Sequence, residues 1–208
     1  MIEKVVLASN NTHKIREFKS ILSKENIELI PQAKLNIPEV EETGLTFIEN
    51  AIIKARNASL LSGLPALSDD SGIEVDALGG KPGVFSARYA GLQCDDNLNN
   101  KLLLEELKGV PIDQRTARYH CCIVFLLNFN SSAPWVFNST WEGKINLKEE
   151  GNKGFGYDPL FYLPELKCTA AELSEAKKNT ISHRGKALRL FSQDIDNIIK
   201  NITRKKLL

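Results

Sequence analysis

Two long apolar runs stand almost end to end in this chain: RYHCCIVFLLNF (Arg118–Phe129) and APWVFNSTWEGKI (Ala133–Ile145), joined by the polar turn NSSA. Runs of this kind read as neighbouring antiparallel strands. Upstream the period is different. KVVLA (Lys4–Ala8) is a buried strand, and Ile15, Phe18, Ile21 and Leu22 then fall on one helical face behind a cap at Asn11 or Thr12. IELI is a second strand. TFIE (Thr46–Glu49) is a capping box opening a helix with Ile48, Ile52 and Ala55 inward, stopped by Gly63 and Pro65. Strands alternating with helices, followed by two adjacent strands, specify an α/β fold with a mixed sheet and argue against a purely parallel doubly wound one.

The remaining helices are DNLNNKLLLEELKGVP, ended by Gly109 and Pro111, and a last helix from about Gly185. A second capping box, TAAE (Thr169–Glu172), precedes that last helix, which turns Leu188, Phe191, Ile195 and Ile199 to the core. The 208 residues suit one domain, or two lobes around a cleft. A net charge of +1 gives no general attraction to nucleic acid or an anionic membrane. The N-terminal run is too short for a signal peptide or a membrane span. Cys94, Cys121, Cys122 and Cys168 form no C-x-x-C pair and read as reduced thiols, so the cytoplasm is the expected compartment.

Five segments could carry chemistry. SNNTHK (Ser9–Lys14) lies at a strand-to-helix junction, where free N–H groups and a lysine attract anions; taken alone it reads first as a plain N-cap with a surface lysine. The acidic residues Glu41, Glu42, Asp69 and Asp70 are the hard oxygen ligands that Mg²⁺ takes along with phosphate and water. DDSG also suits a simple turn in which Ser71-Gly72 breaks the strand. GGKPGVFSARYAG, with Arg88, is a loop able to approach a ligand closely. Phe155 in GFGYDP offers a ring for stacking on a base, or else anchors a buried loop. KKNTISHRG places His183 and Arg184 beside a helix start as donors to carbonyl or phosphate oxygens, or forms a solvated stretch.

The order LASNNTHKIREF, EETGLTFIENAIIKAR, ALSDDSGIEVDALGGKPGVFSARYAG, GFGYDPLF, ISHRGKAL, running from about Val5 to Leu190, resembles the Ham1/RdgB family of non-canonical purine NTP pyrophosphatases, the inosine triphosphatases. The resemblance implies an elongated mixed sheet flanked by helices, in one domain of two lobes around a central active-site cleft, and a homodimer. It implies cleavage of ITP, dITP and XTP to the monophosphate and pyrophosphate. On the matching positions it implies phosphate contacts from Ser9, Asn10, Asn11, Thr12, His13 and Lys14, with Lys54 facing the same phosphates. Glu41 and Asp70 fall on the Mg²⁺ carboxylates, and Asp70 also on the proton acceptor. Asp69 assists nearby or orders the turn, and Ser71 contacts substrate. Phe155, Gly156, Tyr157 and Asp158 fall on the base pocket, Lys178 on a further contact, and His183 and Arg184 on the pair near the purine 6-oxygen. Many members carry Gly where this chain has Asn10, which raises the question of a positive φ there.

The expected chemistry is Mg²⁺-dependent hydrolysis by a water that Asp70 activates, with positioning and charge stabilisation dominant. A 6-oxo purine offers an acceptor to a donor such as Arg184, whereas adenine would set donor against donor. A Maf-type pyrophosphatase of other base preference and a nucleotide-binding module without turnover are the competing readings.

Overall fold

The structure is a computed structural model of the chain that describes residues 3–93 and 95–205, so Cys94 lies outside the described residues. Seven strands form one sheet in the order β2-β1-β3-β4-β5-β6-β7. They are β1 (Glu3–Leu7), β2 (Ile27–Pro31), β3 (Ala66–Val75), β4 (Thr116–Leu126), β5 (Trp135–Ile145), β6 (Phe161–Leu163) and β7 (Cys168–Thr169). β1 pairs in parallel with β2 and β3, while β5–β6 and β6–β7 are antiparallel, so the sheet is mixed as expected. The helices are α1 (Thr12–Ile21), α2 (Phe47–Ser62), α3 (Asp96–Glu106), α4 (Glu175–Ile181) and α5 (His183–Lys205).

The chain divides into two compact units. The first takes in the chain up to Asp70, Cys122–Asn138 and the chain from Arg184 on; the second takes in Ser71–Cys121 and Ser139–His183. In the first unit α2 packs on one sheet face through Ala51, Ala55 and Ala58, against Val6, Ala8, Ala66, Cys122, Val124 and Leu126. Phe125, Phe137 and Phe191 of α5 cluster with ring centroids 5.7 and 5.6 Å apart. The second unit has its own core of Ile73, Val75, Leu103, Leu107, Tyr119, Trp141, Tyr157 and Phe161.

Several local expectations needed correction. Ile48 is exposed, because α2 approaches the sheet through a stripe of alanines and its larger residues lie at the flanks. In α5 it is Ile198, 1% exposed, that reaches the core, and Ile199 is only half-buried. TAAE caps a short 3₁₀ turn, and a separate helix, α4, follows it. β4 ends at Leu126, so the connection to β5 is longer than NSSA. Cys121, Cys122 and Cys168 form no disulfide, and no helix among the described residues is long and apolar enough to cross a membrane.

Candidate active site

The DDSG segment does not break its strand. β3 runs without interruption from Ala66 to Val75, so strand alternation sends Asp69 and Asp70 to opposite faces of the sheet. Each meets its own lysine. Asp69 is 2% exposed and ion-paired with Lys14 at 3.2 Å and with Arg184 at 3.0 Å. Asp70 is 5% exposed and accepts from Lys54 Nζ at 2.6 Å. Their electrostatics diverge accordingly. Burial alone would push the Asp69 carboxyl up, but Lys14, Arg184 and Lys54 outweigh it and hold the group well below the usual carboxylate range. For Asp70 burial wins, helped by the Glu42 charge and opposed by Lys54 and Lys14, and the carboxyl sits above its ordinary value. Burial also pushes the nearby Cys122 thiol up to about 12, so it stays a neutral packing group.

Lys54 joins the two acidic segments, because its Nζ also donates to Glu42 at 2.8 Å. Burial opposes its charge, yet Asp70, Glu42 and Asp69 together hold its pKa above the usual value. Glu42, not the exposed Glu41, is thus the carboxylate of the VEETG loop that shares Lys54 with Asp70. Sequence spacing could not separate these neighbours. The signal lay in the helix that follows: Asn50, Lys54 and Asn57 recur on one face of α2. Asn50 Oδ1 accepts from Gly44 N–H at 2.7 Å, and Asn57 Nδ2 donates to the Pro38 carbonyl at 3.1 Å, so the loop is stitched along the helix.

Asp70 Oδ2 is buried and has no hydrogen-bond partner among the described residues. A buried orphan carboxylate oxygen with Glu42 on the same lysine fits a hard divalent cation, which takes one or two carboxylates plus phosphate oxygens and water. No group of three or more His, Cys, Asp or Glu side chains gathers as a metal cage among the described residues. The residues therefore fit a metal that completes its shell with phosphate and water.

At the start of α1, Asn11 is the N-cap; its Oδ1 accepts from the N–H groups of His13 and Lys14 at 3.0 Å each. Ser9 Oγ accepts from Asn11 N–H at 3.2 Å. An anion at this loop must therefore rely on the Lys14 side chain and the remaining loop N–H groups. Asn10, Asn11, Thr12 and His13 are all exposed. Only Asn36 and Lys167 among the described non-glycine residues have positive φ, so Asn10 needs no glycine-like backbone.

Arg184 is 2% exposed and clasped on two sides, with Nη1 donating to Glu17 at 2.5 Å and both Nε and Nη2 to Asp69. Glu17, on α1 with Lys14, is buried as this partner. The structure thus ties Arg184 to Asp69 in the first unit, while His183, its chain neighbour, belongs to the second. There the His183 ring stacks on Tyr119, with centroids 4.6 Å apart and planes within 7°.

The GFGYDP loop is also in the second unit. Asp158 is a buried clasp: its Oδ2 accepts from Phe155 N–H at 2.9 Å and from Lys178 Nζ at 2.5 Å. The same ammonium lies 4.8 Å from the centroid of the half-buried Phe155 ring. A Cβ on Gly154, whose φ is +76°, would collide with the Asp158 carboxylate. Tyr157 is buried and donates to the Ser86 carbonyl at 2.8 Å. Ser71 is half-buried, and Arg88 lies over the Phe85 ring at 5.1 Å.

The sequence profile described as "Ham1 family" matches residues 5–194. A dITP/XTP pyrophosphatase of Photorhabdus laumondii subsp. laumondii is 49% identical over 196 residues, covering 94% of this chain and all of that protein. One of Escherichia coli O157:H7 is 50% identical with the same coverage. A HAM1 protein structure from Coxiella burnetii superposes with a TM-score of 0.88 at 46% identity, over 95% of this chain and all of that one.

Proposed function

Since the chain belongs to the Ham1 family, we propose that it hydrolyses the non-canonical purine triphosphates dITP, XTP and ITP to the monophosphate and pyrophosphate. Within the structure, one observation supports this reading most. Two buried adjacent aspartates are turned to opposite faces, each on its own lysine, and Asp70 Oδ2 is left with neither a hydrogen-bond nor an ion-pair partner among the described residues. Binding alone does not call for that arrangement. A water-activating carboxylate beside cationic phosphate ligands does.

In this reading Asp70 Oδ2 accepts the proton of the attacking water. Lys14 and Lys54 offset charge that develops on the leaving pyrophosphate. Asp69, kept ionised by Arg184, holds Lys14 in place. Mg²⁺, held by Asp70 and Glu42, would neutralise phosphate oxygens and polarise the water. Phe155 stacks on the purine, and His183, its ring plane set by Tyr119, is the donor assigned to the 6-oxygen. Arg184 acts through Asp69. We further read the protein as a cytoplasmic homodimer, which light scattering on the purified chain checks.

The test is to incubate protein and Mg²⁺ with dITP, XTP, dGTP, dATP and dTTP and to resolve the products. Monophosphate and pyrophosphate formed mainly from dITP and XTP support the proposal. Orthophosphate release, or equal turnover of dATP, would sink it.

A further inference from the structure

Helix α3 carries no residue that the proposed chemistry uses, yet its first two turns hold the GFGYDP loop by the backbone. Asp96 Oδ2 accepts from the Gly156 N–H at 2.7 Å, and Asn100 Nδ2 donates to the Gly156 carbonyl at 3.2 Å. The two side chains are four residues apart, hence on one helix face, and they grip one residue at both of its peptide groups. Gly156 has φ +63°, a left-handed backbone that side chains disfavour, and it sits between the phenylalanine and tyrosine of the loop. The residue just before Asn100 does similar work for a second loop. Asn99 Oδ1 accepts from Ala90 N–H at 2.7 Å, and its Nδ2 donates to the Ala87 carbonyl at 3.0 Å.

Asn100 is 3% exposed, and its Oδ1 has no hydrogen-bond partner among the described residues. Reversing the amide would not help, because it would set that oxygen against the Gly156 carbonyl. A buried amide with one unsatisfied end is a poor choice for stability, and leucine would occupy nearly the same volume without that orphaned oxygen, at the loss of one long bond to the Gly156 carbonyl. The return on this asparagine is in the loop it holds.

We infer that Asp96 and Asn100 are positioning residues that set the Phe155 ring for the purine by clamping Gly156 from α3, an inference that rests on the proposed base-stacking role of Phe155. The test compares steady-state hydrolysis of dITP and dGTP, and thermal midpoints, across the wild type, Asn100→Leu, Asp96→Ala and Asp96→Asn, with Asn100→Leu repeated in a Phe155→Ala background. Asn100→Leu is expected to unfold at or above the wild-type temperature. Its KM for dITP should rise roughly tenfold with kcat within about twofold, as for a group that orders a binding surface, and its preference for dITP over dGTP should shrink. Asp96→Ala should move the same way. Asp96→Asn should recover most of that loss, because its amide oxygen still accepts from Gly156. With Phe155 already removed, Asn100→Leu should add little.

An unchanged KM in Asn100→Leu overturns the inference. So does a loss confined to kcat that follows a lowered midpoint, or an effect undiminished in the Phe155→Ala background. A wild-type protein that turns over no dITP would sink the functional reading itself, and the inference with it. Wild-type turnover with an unaltered Asn100→Leu sinks the inference alone.

Discussion

Asp69 and Asp70 are neighbours in sequence with opposite energetic signs. Asp69 is ionised more readily in the folded chain than in the unfolded one. Its ion pairs therefore contribute stability above the unfolded value near 3.8, and this contribution drains away as pH falls towards the depressed folded value. Asp69→Asn leaves Arg184 and Lys14 facing an amide, and breaking a buried pair on one side costs about 3–5 kcal/mol. Denaturant melts in metal-free buffer should show that loss at pH 7 and a narrowing gap from wild type below about pH 4. Asp70 is the reverse. Its folded pKa is raised, so its charge weakens the fold at neutral pH, and the penalty vanishes on acidification. Asp70→Asn also leaves the buried Lys54 ammonium with Glu42 alone, so its pH 7 midpoint should not exceed that of the wild type, and kcat on dITP should fall by roughly 10²–10⁴-fold, the range for a lost general base. An Asp70→Asn variant of wild-type activity would remove Asp70 from its role as base.

Among the elements, the amphipathic periods and caps were legible, and the polar burial was not. Thr46 and Glu49 close the capping box foreseen at the start of α2. Asp-Asp-Ser-Gly looked like a turn because each residue favours turns singly. Pairing in the sheet, with lysines and an arginine to meet the carboxylates, overrode that local preference. Glu17 and Asn50 carry no such signal for a related reason: a buried polar residue is recognised by its partner, and the partner can lie far off in sequence, as Arg184 does from Glu17. The stitched loop ahead of α2 offers a direct test. A Cβ at Gly44 would stand 2.5 Å from Glu49 Cβ and 2.7 Å from Asn50 Oδ1, so Gly44→Ala must lift the loop that carries Glu42. The far-ultraviolet spectrum should stay that of the wild type, because α2 keeps its cap. Hydrolysis of dITP should fall roughly 10²-fold, as for a displacement of about 1 Å near the chemistry. Wild-type turnover in Gly44→Ala would mean that the loop's position does not matter.

At the scale of the whole molecule, the two kinds of recognition proposed above fall in two separately cored units. Lys14, Glu42, Lys54, Asp69 and Asp70 belong to the first, whereas Phe155–Asp158, Lys178 and His183 belong to the second. Fragments of the proposed substrate should therefore protect different parts of the chain. A ligand that binds only the folded form slows the openings of the region it holds, by about 100-fold in exchange when present at 100 times its Kd. Pyrophosphate with Mg²⁺ should slow amide exchange in the Ser9–Lys14 segment and around Asp69–Asp70. Inosine, which has the base and sugar but no phosphate, should slow it in the 154–158 loop and leave the Ser9–Lys14 segment near its unliganded rate. Hydrogen exchange read by mass spectrometry on the two fragments, singly and together, decides the matter. Protection of the Ser9–Lys14 segment by inosine alone would contradict the division of labour, since nothing in that segment matches a base. Protection of the 154–158 loop by pyrophosphate alone would move the phosphate contacts onto Lys178, whose ammonium already lies against Asp158 and the Phe155 ring.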